Sequence, residues 1–131
     1  SMGMSQAMGG PGGWLPSPKY KIYTKSSDMS NPGPSQLYVL LDEHPDSINA
    51  GGFANQMVAS PGSARIIDYP ASYHNRAGGI SFADGHTEIK KWNDERAVEP
   101  IRYKLMPLNV ASPNNQDMIW LSDRTTVLRL P

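Results

Sequence analysis

At 131 residues the chain has the length of one globular domain, and Lys plus Arg balance Asp plus Glu at 12 each. This neutral composition lacks the basic patch that nucleic-acid binding requires, so DNA and RNA are not expected partners. Glycine and proline together make up about 18% of the residues, against roughly 12% on average, which disfavours a helical bundle.

The chain also lacks the features of a membrane span or a disulfide scaffold. Its longest apolar run, residues 37–41, is far shorter than the ~20 residues that cross a bilayer, so this piece is expected to be soluble. The absence of cysteine excludes disulfides and thiolate ligands. Residues 1–3 resemble the remnant of an expression tag, so we interpret residues 4–131 as a single domain taken from a longer protein.

The first half of the chain predicts short strands between proline- and glycine-rich loops. Residues 9–18 contain seven Gly or Pro and are expected to form a loop anchored by Trp14. Residues 20–24 are β-prone, and residues 37–41 predict the most buried strand, covered on both faces because its apolar residues do not alternate. Residues 53–58 and 65–69 are weaker strand candidates on either side of a turn at 60–63.

The strongest local signal is Asp84-Gly85 between two β-prone arms. This dipeptide predicts a hairpin with a two-residue type I′ turn, which would set Ile80 opposite Ile89 on the core face. Trp92 is then out of phase with Ile89, which predicts a bulge or strand end at residues 90–91. Further along, Asn114 or Asn115 is expected to cap a short helix near residues 117–125.

Histidines and carboxylates are the candidate metal ligands in a chain without cysteine. His86 follows the turn that carries Asp84, and with His74 they could surround a metal, although no spacing matches a strong metal signature. Asp42, Glu43 and Asp46 could hold calcium through oxygen ligands, or could simply hydrogen-bond backbone amides in a solvated loop. The aromatic rings able to form a sugar- or protein-binding surface are those of Trp14, Trp92 and Trp120.

Three segments together resemble one known family. His74 is followed by nine residues and then Asp84-Gly85, residues 41–49 read LDEHPDSIN, and residues 120–126 read WLSDRTT. As a set, from about residue 6 to residue 126, they resemble the prepilin-type processing-associated H-x9-DG domain of pseudopilin-like proteins.

This resemblance implies a subunit of a type II secretion or type IV pilus-related system. Such a subunit carries a leader cleaved by a prepilin peptidase, an apolar N-terminal helix that anchors it in the inner membrane, and a periplasmic α+β head. The chain would be that head without its helix, with other pilin-like subunits and the secretion machinery as partners. The family has no established enzymatic activity, so no enzyme is expected.

The resemblance leaves the role of the motif open, and the hairpin suggests one. Asp84-Gly85 forms the turn, while His74 could hydrogen-bond the turn or the Asp84 carboxylate and so hold the preceding loop. Related major pseudopilins bind calcium in a head-domain loop, which by analogy draws attention to Asp42, Glu43, Asp46 and Asp84. Otherwise no cofactor is expected.

The sequence therefore predicts an α+β, pilin-like head built on an antiparallel sheet of about four to six short strands with long loops. A filament or pseudopilus subunit is the preferred function. An envelope module that binds carbohydrate or protein through its tryptophans and acidic loop is the first alternative. A metal-dependent enzyme around His74, Asp84 and His86 is the second.

Overall fold

The computed structural model describes residues 2–8, 23, 33–48, 52–58, 60–72, 75–100, 106 and 109–126. Within these ranges the chain forms seven strands, one α-helix and four short 3₁₀ helices. The strands are β1 (Met2–Ser5), β2 (Tyr38–Asp42), β3 (Gly52–Phe53), β4 (Arg65–Ile66), β5 (Ala77–Phe82), β6 (Thr87–Lys91) and β7 (Val110–Ala111), and the helix is α1 (Gln116–Asp123). The 3₁₀ helices are Pro34–Gln36, Pro45–Ser47, Pro61–Ser63 and Glu95–Ala97.

Five of the described strands form one mainly antiparallel sheet in the order β3-β1-β2-β5-β6. Only the short β3 runs parallel to its neighbour β1, while β4 and β7 form a separate antiparallel pair. Mainly antiparallel sheets with one α-helix in the described residues confirm the expected α+β class. Residues 2 and 3, interpreted from sequence as part of a tag remnant, lie in β1 and pair with β2.

The strand predicted at residues 37–41 is confirmed as β2, near the middle of this sheet. Its pairing with β5 shifts between Tyr38 and Leu40, so β2 contains one extra residue opposite β5. This bulge places both Tyr38 and Leu41 on the core side although they are three residues apart. The apolar residues of β2 therefore fail to alternate because of a bulge. From the sequence alone, the same pattern was explained by coverage of the strand on both faces.

The hairpin at Asp84-Gly85 forms, but the predicted type I′ turn is wrong. The Gly85 N–H donates to Phe82 O at 3.0 Å, and the Phe82 N–H donates to His86 O at 3.0 Å, so three residues connect the strands. Only Gly85 has a positive φ, at 92°, in this turn. The longer connection is favoured because it spares Asp84 the left-handed conformation that a type I′ turn requires.

This connection shifts the register of the whole hairpin by one residue. Ile80 pairs with Glu88, and Gly79 pairs with Ile89, so the predicted Ile80–Ile89 pair is wrong. Ile89 lies on the face opposite the core and is 79% exposed. The shift puts Trp92 in phase with Ile80, and the regular pairing of residues 77–81 with 87–91 shows no bulge at residues 90–91.

The predicted helix is confirmed, and it covers the core face of the sheet. The Asn115 side chain caps α1 by accepting hydrogen bonds from the N–H groups of Asp117 and Met118. Met118 and Leu121 point into the main core cluster and are almost completely buried. The other members of that cluster are Tyr38, Leu41, Phe53, Ile66, Tyr69, Ile80, Phe82, Trp92 and Ala97.

The weaker strand predictions are only partly confirmed. Of residues 53–58 only Phe53 is in a strand, and of residues 65–69 only Arg65 and Ile66 are. Of residues 20–24 the structure describes Tyr23 alone, in an isolated bridge with Met8, and Trp14 with its loop lies outside the described residues. In the described part of the chain, no helix has the length and apolar character needed to cross a membrane.

Two adjacent glycines of β5 give a stability test with its own control. A Cβ at Gly78 would lie 2.6 Å from Ala71 O, whereas a Cβ at Gly79 would meet no atom within 4 Å. We expect Gly78→Ala to lower the free energy of unfolding by about 1–3 kcal/mol, because Ala71 would have to move. Gly79→Ala is expected to leave it unchanged or raise it by up to about 1 kcal/mol. Urea unfolding of both variants measures the difference, and equal losses would contradict the packing described for Gly78.

Candidate functional site

The tip of the β5–β6 hairpin gathers the charged residues of the sequence motif. Asp84 Oδ1 accepts the His86 backbone N–H at 3.0 Å and also contacts Nδ1 of the His86 ring. The other ring nitrogen, Nε2, lies 2.9 Å from Glu88 Oε2. The imidazole stacks on Phe82 with 4.4 Å between ring centroids and an interplanar angle of 2°. His86 is thus fixed between two carboxylates and an aromatic ring.

This arrangement favours the protonated form of His86. The hydrogen bond to Glu88 is the main cause, and together with the hydrogen bond to Asp84 it raises the pKa of the imidazole above its usual 6.5. The backbone and side-chain hydrogen bonds from His86 lower the pKa of Asp84 below its usual value. Because both ring nitrogens face carboxylate oxygens, neither presents a free lone pair to a metal ion.

The structure brings together only part of the predicted motif site. Asp84, Gly85 and His86 lie together at the hairpin tip, and the Asp84 carboxylate is bound by His86. His74 lies outside the described residues, so its predicted hydrogen bond to the turn stays a prediction. Gly85 has the role expected from the sequence, because its positive φ is the conformation that the turn requires.

The acidic segment after β2 is folded back into the protein instead of forming a solvated loop. Asp42 ends β2, Glu43 is buried beside Pro70, and Asp46 is buried in the 3₁₀ helix Pro45–Ser47. Among the residues that the structure describes, no group of three or more histidines and carboxylates is placed to hold a metal ion. Asp84 lies at the hairpin tip, in a different part of the sheet, so the calcium hypothesis has no assembled ligand set in the described residues.

His44, one of the histidines considered as a metal ligand, instead holds this segment in place. Its Nδ1 accepts the Asp46 N–H at 3.1 Å, and its Nε2 lies 2.8 Å from Glu99 O. The acceptor role of Nδ1 places the ring proton on Nε2, which donates to the Glu99 carbonyl. One buried imidazole therefore caps the 3₁₀ helix and links it to the chain 55 residues further on.

Glu43 is the most perturbed carboxyl group of the segment. Burial and the nearby Asp68 carboxylate raise the pKa of Glu43 to about 8, although Ser47 Oγ donates to its Oε2 at 3.3 Å. Ser47 Oγ also accepts the Tyr69 N–H at 2.8 Å. Glu43 is therefore mostly protonated at neutral pH, and this neutral form avoids the free-energy cost of burying a charge.

The tryptophans do not form a shared binding surface in the described part of the chain. The prediction for Trp92 is wrong, because its ring is fully buried in the core and its Nε1–H donates to Ala71 O at 2.9 Å. Trp120 is half-buried and packs edge-on against Trp92, with 6.2 Å between centroids. Lys90 Nζ and the Arg124 guanidinium lie 4.9 and 4.1 Å from the Trp120 ring centroid. Trp14 lies outside the described residues.

A buried polar network that sequence reasoning missed joins distant parts of the chain. The Tyr38 hydroxyl donates to Asn55 Oδ1, and Asn55 Nδ2 donates to Thr125 Oγ1 at 2.8 Å. The Gln6 side chain also donates to the Asn55 carbonyl. Burial raises the pKa of Tyr38, which keeps its hydroxyl a donor. The one signal in the sequence is the spacing of Thr125, four residues after Leu121, which places both on one side of the predicted helix.

No family model, curated protein or solved structure matches this chain.

The hairpin tip predicts a specific pH dependence. A raised pKa of His86 gives a stabilisation that is complete below pH ~6.5 and is lost as the pH rises through the raised value. We expect an NMR titration to place the His86 pKa above 6.5. Glu88→Gln is expected to lower this pKa, because residue 88 then offers His86 a neutral oxygen in place of a carboxylate. A His86 pKa at or below 6.5 in the unaltered chain would contradict the geometry. His86→Gln is expected to lose this contribution to the pH dependence of the melting temperature.

Glu43 predicts a second pH effect of the same sign. Between about pH 4.3, the ordinary pKa of Glu, and the raised value near 8, the folded state binds more protons than the unfolded one, so stability falls as pH rises. Glu43→Gln is expected to raise the free energy of unfolding at pH 8 by about 1–3 kcal/mol, because it replaces a buried charge by a neutral amide. Denaturant unfolding at pH 5 and pH 8 checks this.

The control for Glu43→Gln is Asp123→Asn, which replaces a carboxyl group by an amide at an exposed residue of α1. We expect it to change the free energy of unfolding by no more than about 0.5 kcal/mol. If Glu43→Gln is less stable than the parent chain at both pH values, the buried carboxyl has a role that the amide cannot replace, and the prediction is wrong.

Proposed function

We propose that this chain is the head domain of a pseudopilin-like subunit in a type II secretion or type IV pilus-related system. The head acts without catalysis, by contacting other subunits or a secreted substrate. The structural observation that supports this proposal most is the outer face of the five-stranded sheet, defined as the face opposite α1 and represented by Met4, Leu40, Gly79 and Ile89.

Strand register places these residues on one face. Met4 pairs with Leu40 across β1 and β2, and Gly79 pairs with Ile89 across β5 and β6. Directly paired residues share a face, and the neighbouring pairs that contain Leu41 and Ile80 point to the core. The outer face is therefore distinct from the one that α1 covers.

The outer face exposes apolar side chains beside polar ones. Met4 is 47% exposed, and Leu40, its partner on β2, is half-buried. The same register places Asp42, Ser81, Thr87 and Lys91 on this face. Space around Gly79 is open, because a Cβ there would touch nothing within 4 Å. A sheet face with exposed apolar side chains and open space above a glycine is one that another element can cover.

A pseudopilin supplies the covering element. In the full-length subunit the resemblance implies an upstream apolar helix that is anchored in the inner membrane, and we expect this helix to cover one face of the head. Gly79 leaves a flat position near the middle of the outer face, where a helix backbone can approach the sheet closely. The His74–Asp84–Gly85 motif then has a structural role, since it shapes one end of the strands that form this face.

Bulky substitutions at two open glycines test the proposal in the full-length protein. Gly79→Trp fills the outer face, whereas Gly62→Trp places the same side chain at a 3₁₀ helix away from the sheet, also in open space. In the isolated chain both variants are expected to melt within a few degrees of the parent, because neither side chain meets the core. In the producing bacterium, only Gly79→Trp is expected to lose co-purification with the other subunits.

Processing of the N-terminus is the second readout. The full-length subunit is expected to be shortened by a prepilin peptidase, which mass spectrometry of cells with and without that peptidase detects. A full-length protein without a leader and apolar helix, or one whose mass does not change when the peptidase is removed, would contradict the proposal. Equal co-purification of the Gly79→Trp and Gly62→Trp variants would contradict the role assigned to the outer face.

A further inference from the structure

The free edge of the sheet carries a second surface, which does not depend on the proposed function. Strand β6 is the last strand of the sheet and pairs only with β5 among the described elements. Its residues 87, 88, 89 and 91 are exposed, and Ile89 is 79% exposed at its centre. An exposed edge strand presents unpaired backbone groups that can pair with another strand.

The direction of the backbone groups follows from the hairpin register. The Phe82 N–H donates to His86 O, and the Trp92 N–H donates to Arg76 O, so even-numbered residues from 86 to 92 bond with β5. In an antiparallel ladder the alternate residues point the other way. The N–H and C=O groups of Thr87, Ile89 and Lys91 therefore point away from the sheet.

We propose that β6 pairs antiparallel with β6 of a second copy of this chain, about a two-fold axis that passes between the two Ile89 residues. In this register Ile89 pairs with Ile89 of the second copy, and Thr87 pairs with its Lys91. The residues that bond across the axis are the ones with outward backbone groups, which gives about six interchain hydrogen bonds. The two sheets then form one continuous sheet.

The charges of β6 are complementary in this register. Glu88 lies opposite Lys90 of the second copy, and Lys90 lies opposite its Glu88, so both cross-strand pairs are of opposite sign. They occupy a non-hydrogen-bonded position of the ladder, where side chains are closest. Both pairs lie on the α1 side of the sheet, whereas the two Ile89 side chains meet on the outer face.

Shifted registers are less favourable. A two-fold axis centred on Glu88 would set Glu88 opposite Glu88 of the second copy, and one centred on Lys90 would set Lys90 opposite Lys90, so the central pair has like charges in both cases. An axis centred on Lys91 would place two Lys91 side chains opposite each other. The charges of β6 therefore favour the register centred on Ile89 over these three registers.

A charge-exchange experiment on the whole chain tests the pairing. Glu88→Lys places lysine at both positions 88 and 90, and Lys90→Glu places glutamate at both, so each variant alone brings like charges together. Sedimentation equilibrium between about 10 and 500 µM is expected to show a dimer for the parent and at least about tenfold weaker self-association for each variant. An equimolar mixture of the two variants is expected to form a heterodimer about as tight as the parent dimer.

Ile89→Pro is the backbone test. Proline at position 89 removes an N–H group that points away from β5, so the hydrogen bonds between β5 and β6 are retained. The interchain hydrogen bonds that residue 89 donates across the two-fold axis are lost. We expect a folded monomer, with thermal melting as the check of folding. If this variant does not fold, the charge-exchange pair still decides the question.

Three results would overturn the proposal. The first is a parent chain that stays monomeric over the whole concentration range, which would leave the edge to a strand of a different protein. The second is a dimer that a folded Ile89→Pro variant retains. The third is a mixture of the two charge variants that associates no more than either variant alone.

Discussion

Gly85, with a φ of 92°, sets the register between β5 and β6, and this register decides what each hairpin residue does. A turn one residue shorter would move every side chain of β6 to the opposite face, because side chains alternate along a strand. Ile89 would then enter the core, and Trp92 would leave it. The stacking of His86 on Phe82 and the position of Glu88 beside His86 depend on the same residue.

The second constraint is the close approach of the Ala71 carbonyl to β5. Ala71 O accepts the Nε1–H of Trp92, and Gly78 leaves the space that this carbonyl needs. The Ala71 N–H donates to Asp42 O at 2.7 Å, which ties the same residue to the end of β2. The acidic segment and the core tryptophan are thus held by one backbone position, and this explains why neither is free to form a solvent-facing site.

Much of the fold was predictable where the signal was local. The alternation of β-prone residues around Asp84-Gly85 indicated the hairpin, and Asn115 indicated the start of α1. The register was not predictable, because Asp-Gly suits both a two-residue and a three-residue connection and the choice depends on the packing of Trp92. The extra residue of β2 at Tyr38–Leu40 gave no local signal either, since a bulge is recognised only against its partner strand.

The candidate site was less predictable than the fold. The sequence alone places Asp84 and His86 near each other. It does not reveal that Glu88 also contacts the His86 ring, because that contact depends on the register between β5 and β6. The contacts of Asn55 with Thr125 and of His44 with Glu99 span 70 and 55 residues, so no window of sequence contains them. A buried polar residue can be identified from sequence only when its partner is nearby, and here the partners come from the other end of the chain.

The two uncovered surfaces of the sheet can be used at the same time. In the order β3-β1-β2-β5-β6, strand β1 lies three positions from β6, which at the usual strand spacing is about 14 Å. A helix about 10 Å wide that lies over Met4 and Gly79 therefore leaves the outward backbone groups of β6 free. Pairing at the β6 edge extends the sheet sideways and leaves the outer face of β1 and β2 open. Under the two proposals, a helix would use the side chains of β1, β2 and β5, and a second copy would use the backbone of β6. Ile89 is the residue that both contacts would share.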